Sequence, residues 1–185
     1  GVNNHFQRIE ISKVKEKFRF SKPALLHVGH DNFYKNVEGL IKAVGLLGRN
    51  IKLVKVGPIS RRQFDLLKNL NIDYVQFMDI PEEELIQLYN AVDLLVYPSW
   101  QEGFGFPVLE ALACGCPVVC SDIPALKEVA ADAAIMVAPD DARGMAKAIG
   151  AILESRRLRS ELAERGLNRA RKFTWERAAQ ETLEV

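Results

Sequence analysis

The run Glu102-Gly103-Phe104-Gly105-Phe106-Pro107-Val108-Leu109-Glu110 holds the residue types most able to do chemistry together. Gly103 and Gly105 let the backbone approach a ligand closely. Pro107 fixes a helix start, so the first amides of that helix point outward beside the positive end of its dipole. That is a seat for a phosphate or diphosphate. Glu102 opens the loop, and a helix starting at Pro107 puts Glu110 in its first turn. A carboxylate beside a phosphate seat is electrostatically costly unless it accepts hydrogen bonds from hydroxyls. Sugar and ribose hydroxyls supply those, so the pair points to a nucleotide sugar. The plainer alternative is that Glu110 complements the helix dipole and Glu102 is a solvated loop acid.

These residues need elements to hold them. Short, continuously apolar runs at 24–28, 51–56, 74–77, 94–97, 118–120 and 135–137 read as strands. Residues 37–48, 60–70, 81–91, 107–115, 124–130, 142–154 and 156–172 carry helical spacing or helix-start signals, and Trp175 begins a last helix. Ser60 is the expected N-cap of the second helix, and Pro81 the expected first residue of the third. Strands alternate with helices and are never joined by two-residue hairpin turns. The expected fold is α/β, a Rossmann-like parallel sheet with helices on both faces. Ligands bind such sheets at the carboxyl ends of the strands, which singles out the loops 29–36, 57–60, 78–81, 98–106, 121–124 and 138–141.

Composition excludes several classes. The chain has 185 residues, with 25 Lys and Arg against 24 Asp and Glu, a formal charge of +1. No global field draws it to nucleic acid. Its apolar runs fall short of a membrane span, and it opens without the charged and apolar regions of a leader. The 3 Cys make no disulfide framework, so a cytoplasmic location is expected. Cys114, Cys116 and Cys120 lack nearby His partners for zinc and read as small buried thiols. A dinucleotide fingerprint fails because Val108 stands where its third glycine belongs. No Asp-x-Asp triplet offers to bridge a divalent ion, so no metal and no cofactor are expected. His27 reads as a packed core residue. Trp100 and Phe104 suit either a sugar face or loop anchoring. The basic run at 156–172 reads as a solvated face rather than a surface for anionic lipid.

The segment 102–110 resembles the E-x7-E motif of the group 1 retaining glycosyltransferases of GT-B architecture. Ala111-Leu112-Ala113-Cys114-Gly115-Cys116-Pro117-Val118-Val119 resembles that family's following run, and Ala91 to Ser99 its preceding strand. Val28-Gly29 with Lys35-Asn36 resembles its first phosphate-binding loop. Gly1-Val2-Asn3 resembles the linker that closes its amino-terminal domain. The resemblance implies the carboxyl-terminal, donor-binding half of a GT-B enzyme. Residues 1–23 would be linker remnant and domain start, 24–172 the nucleotide-sugar-binding domain, and 173–185 a helix returning to the amino-terminal acceptor domain.

The resemblance also implies roles. Glu110 would hold the ribose hydroxyls, and Glu102 the donor sugar near the reacting carbon. Gly103, Phe104 and Gly105 would give backbone contacts, and Val108 and Leu109 helix amides to the diphosphate. Lys35 would neutralise the departing diphosphate, from a loop that begins at Gly29. Gln76, Phe77 and Met78 would line the base. The nucleotide sugar is a substrate, and any peripheral membrane contact would depend on the other half. The chain departs from the family's pattern in its second cation. His30 stands where many members have Arg, and Tyr34-Lys35-Asn36 where others have Arg-Lys-Asn; Arg61 or Arg62 would have to reach in. Another reaction on the same architecture, an epimerase or a phosphorylase, and a non-catalytic binding domain are the rival readings.

Overall fold

The computed structural model describes the chain except for residues 4, 10–13, 15, 16, 19, 49, 184 and 185 and the side chains of 176 and 181. Its strands are β1 (Ala24–Val28), β2 (Lys52–Val56), β3 (Asp73–Phe77), β4 (Leu94–Tyr97), β5 (Val118–Ser121) and β6 (Ile135–Val137). They form one sheet in the order β3-β2-β1-β4-β5-β6, with every neighbouring pair parallel. The helices are α1 (Val37–Leu47), α2 (Arg61–Asn69), α3 (Glu82–Ala91), α4 (Phe106–Ala113), α5 (Pro124–Ala130), α6 (Ala142–Glu154), α7 (Arg156–Ala170) and α8 (Trp175–Leu183).

Two apolar layers sandwich the sheet. Leu40, Ile41 and Val44 of α1, Leu67 of α2 and Met145 and Ile149 of α6 pack on Leu25, Leu53, Leu94 and Val96. Tyr89 of α3, Val108 and Leu112 of α4 and Leu126 and Val129 of α5 pack on Leu26, Val54, Leu95 and Val118. Strands covered on both faces need no polar alternation, which is why they read as unbroken apolar runs. Phe6, Val14 and Phe18 are buried in the second layer, so the segment before β1 supplies core as well as connection.

Local signals set the helix starts. Ser60 and Gln63 form a capping box, with the Gln63 amide donating to Ser60 Oγ (3.3 Å) and the Ser60 amide to Gln63 Oε1 (3.1 Å). Asp141 and Ser155 cap α6 and α7. Two expected starts move. Pro81 is the N-cap of α3 rather than its first residue, with an extended backbone (φ −65°, ψ 156°). The fourth helix begins at Phe106, one residue before the proline, and ends at Ala113. A one-turn 3-10 helix, Phe33–Lys35, lies in a loop where none was expected.

Candidate functional site

The strand order reverses direction between β1 and β4, so the loops leaving these strands diverge and open a crevice at their carboxyl ends. Hydrogen bonds fasten the two loops together across it. Asn36 takes the left-handed conformation (φ 51°), and its Nδ2 donates to the carbonyls of Pro98 (3.0 Å) and Pro139 (2.6 Å). The Trp100 amide donates to the Tyr34 carbonyl at 2.8 Å. At the floor, Lys35 Nζ donates to Glu102 Oε1 (2.7 Å) and to the Tyr97 hydroxyl (2.6 Å). The Lys35 and Glu102 side chains are only 12% and 10% exposed, so the pair is largely desolvated. Burial, and then the Glu102 charge, push the Tyr97 phenol well above its ordinary pKa, so it stays protonated.

The second carboxylate is built differently. Gly105 turns the chain into α4 at φ 102°, and a Cβ there would strike Leu126, so only glycine fits. Its carbonyl accepts from the amides of Val108 (3.0 Å) and Leu109 (3.3 Å). These two amides therefore close the first turn and are not the outward-facing donors expected from the sequence. Pro107 has no N–H. The Phe106 amide has no acceptor among the described residues, and it is the one this helix start offers. Glu110 falls in the second turn because α4 starts at Phe106 and no acid lies in its first. It faces α3, where the Tyr89 hydroxyl donates to its Oε2 at 2.8 Å. Burial raises the Glu110 pKa, and the Tyr89 hydrogen bond opposes that rise. Glu102 and Glu110 thus lie on either side of the Gly105 turn, one before it and one after.

The remaining expected residues take distinct places. Gly29 opens the loop after β1, and His30 is exposed at its rim. Phe77 closes β3, its carbonyl accepting from the Gly57 amide (2.9 Å) and its ring packing edge-on against Phe18. Met78 is half exposed beyond it. Phe104 packs on Phe106 (4.9 Å) and Phe173 (6.0 Å), which makes it a loop anchor; Trp100 stays partly exposed. Arg61 and Arg62 pair with Asp65 (3.2 Å) and Glu38 (3.0 Å) instead of entering the crevice. His27 is buried, and its pKa is lowered to about 3 by burial first, then by Lys55 and Lys35. Cys114, Cys116 and Cys120 are buried free thiols. No group of three or more metal-ligating side chains gathers among the described residues, and none of their helices is long and apolar enough to cross a membrane.

Sequence reasoning missed Tyr97, Tyr89 and Lys55. The tyrosines sit in apolar patterns and read as core, and each does bury its ring. The signal for Tyr97 is its place at the carboxyl end of a strand. The signal for Lys55 is a charge inside an otherwise apolar stretch, Leu53-Val54-Lys55-Val56. A groove of about 710 Å³ opens at the opposite pole of the strands, lined in part by Arg8, Arg156, Arg159 and Asp93. Tyr89, Cys114 and Cys116 also line it, but Lys35, Tyr97, Glu102 and Glu110 do not.

The model of the family Glycosyl transferases group 1 matches residues 8–169. The chain belongs to the group 1 glycosyltransferases. This glycosyltransferase chain is 33% identical over 167 residues to the O-antigen chain mannosyltransferase B of Escherichia coli, covering 85% of this chain and 44% of that protein. Its fold matches the sucrose-phosphate synthase of Thermosynechococcus elongatus with a TM-score of 0.90 at 26% identity, over 100% of this chain and 50% of that one. It also matches the C-terminal domain of a group 1 family glycosyl transferase from Francisella tularensis, with a TM-score of 0.77 at 22% identity, over 93% of this chain and 97% of that one. The chain thus spans less than half the length of the mannosyltransferase it resembles.

Proposed function

We propose that this glycosyltransferase domain binds the donor, a nucleoside diphosphate sugar, in the crevice between β1 and β4. The whole enzyme would pass a hexosyl group to an acceptor with retention of anomeric configuration and without a metal. The observation that carries the reading is the desolvated Lys35–Glu102 pair at the switch point of the sheet. A cation and an acid locked on each other in an open crevice are poised to exchange partners. Lys35 turns to the diphosphate and Glu102 to sugar hydroxyls, each replacing one charge-assisted bond with another.

Glu110 offers Oε1 to the ribose hydroxyls, because Tyr89 occupies Oε2. The Phe106 amide and the glycine loop face the phosphates. As the bond from sugar to diphosphate breaks, negative charge grows on the leaving phosphate oxygen. Lys35, already fixed by Tyr97, meets that charge without having to be reoriented from water. The base rests near the ends of β2 and β3, beside Met78. The acceptor site belongs to a part of the enzyme beyond this domain, so the domain alone binds nucleotide but transfers sugar poorly.

Calorimetric titration with UDP, GDP and ADP tests the reading, beside Glu110→Ala and Lys35→Ala. One nucleotide binds, and both variants weaken it. Binding that is equally strong in both folded variants, or no binding of any of the three, contradicts the reading.

A further inference from the structure

The expected second cation is absent from both of the family's Arg positions, where His30 and Tyr34 stand. A different cation lies beneath the same loop. Lys55 comes from β2, paired in register with His27 of β1 and Gln76 of β3. It is 1% exposed, although its stretch of β2 is otherwise apolar. Its Nζ donates to the carbonyls of Gly29 and of Val56 (2.9 Å). A buried ammonium is costly in a core, and two carbonyls compensate only part of that cost. Two of its three N–H groups are thereby used.

The bond to Gly29 has a geometric consequence. The Gly29–His30 peptide is trans, so its carbonyl and the following N–H point in opposite directions. Drawing the Gly29 carbonyl down onto Lys55 turns the His30 N–H away from the sheet, toward the crevice. Gly57 preserves this arrangement: a Cβ there would collide with the Gly29 carbonyl and stand 3.1 Å from Lys55 Nζ. The Lys35 side chain lies against the same loop, its Cε 3.4 Å from where a Cβ on Gly29 would stand, so both lysines meet at Gly29.

We propose that Lys55 is a positioning residue for the donor diphosphate: it aims the His30 amide at the phosphates and adds, from below the Gly29 loop, the positive charge that the unfilled Arg positions lack. This rests on the donor-site reading above. Burial lowers the Lys55 pKa to about 8, with Asp31 opposing the fall and Lys35 adding to it. His27 stands alongside it on β1, and its β3 neighbour Gln76 does not titrate. A diphosphate favours the charged form, so affinity is highest below that pKa and falls as pH rises through it.

The test measures the affinity of whichever of UDP, GDP and ADP the wild-type chain binds, and of the matching nucleoside, for wild type and Lys55→Met. The variant loses about 10-fold or more in diphosphate affinity, with nucleoside affinity within about 2-fold. Wild-type diphosphate affinity falls from about pH 7 to about pH 9, and the fall is smaller in the variant. A folded Lys55→Met chain with an unchanged ratio of the two affinities overturns the proposal. If that variant does not fold, a flat wild-type pH profile overturns it. Wild type that binds none of the three nucleotides refutes the donor-site reading itself, a different failure.

Discussion

Replacing Lys35 with Met keeps the length of the side chain and deletes its charge. Glu102, 10% exposed, is then left without its cation. Breaking one side of a desolvated pair costs about 3 kcal/mol. In a domain of this size that lowers the melting temperature by about 6–12 °C. Glu102→Gln is milder, about 1 kcal/mol, because Lys35 keeps the Tyr97 hydroxyl at 2.6 Å and gains an amide oxygen. The double variant no longer strands a charge, so it costs less than the two singles together by about 2 kcal/mol. Urea unfolding with an unchanged m-value reads all four proteins. The ligand side moves in the opposite sense. Glu102→Gln frees Lys35 from its competing anion and tightens nucleoside diphosphate binding by about 5-fold, while sugar transfer by the whole enzyme falls. A coupling below about 0.5 kcal/mol, or diphosphate binding weakened by Glu102→Gln, refutes the idea that the two side chains hold each other until the donor replaces them.

Tyr89→Phe removes the hydroxyl that holds Glu110 Oε2, so the Glu110 pKa rises further and nucleotide affinity drops by about 10-fold; titration at two pH values shows the loss larger at the lower one. Gly105→Ala forces a side chain onto φ 102° and into Leu126, costing about 2 kcal/mol or more and abolishing nucleotide binding, read by denaturation and calorimetry. Asp73 bonds to Lys52 (2.7 Å) and Lys22 (2.9 Å), which hold its carboxyl below its ordinary 3.8. A depressed acid contributes stability above its unfolded pKa and loses it as pH falls through the folded one. Asp73→Asn therefore flattens the stability curve below about pH 4, and because the site is only partly buried the difference shrinks in high salt.

The strands were legible because a sheet covered on both faces needs unbroken apolar runs, and 24–28 and 94–97 have that form. The N-cap at Ser60 was legible because it is local. What joins the site was not. Lys35 and Glu102 are 67 residues apart in sequence, and only the reversal of strand order between β1 and β4 brings their loops together. The left-handed Asn36 and its bonds to Pro98 and Pro139 depend on the same meeting of loops. Tyr89 and Tyr97 looked like core because their rings are core; only the hydroxyls face the carboxylates. Pro107 suggested a helix one residue too late, which placed Glu110 one position too early in it and credited Val108 and Leu109 with amides that Gly105 already uses.

The central claim is a location: the nucleotide lies in the crevice between β1 and β4. A nitrogen-15 amide-shift titration of this chain with the nucleoside diphosphate it binds tests that location directly. The account predicts that the shifting amides are those of Gly29, His30 and Lys35 and of Glu102 to Phe106, while those around Arg156 and Arg159 stay still. Shifts gathered instead around the groove lined by Arg8, Arg156 and Arg159 would place the ligand at the opposite pole of the sheet and contradict it.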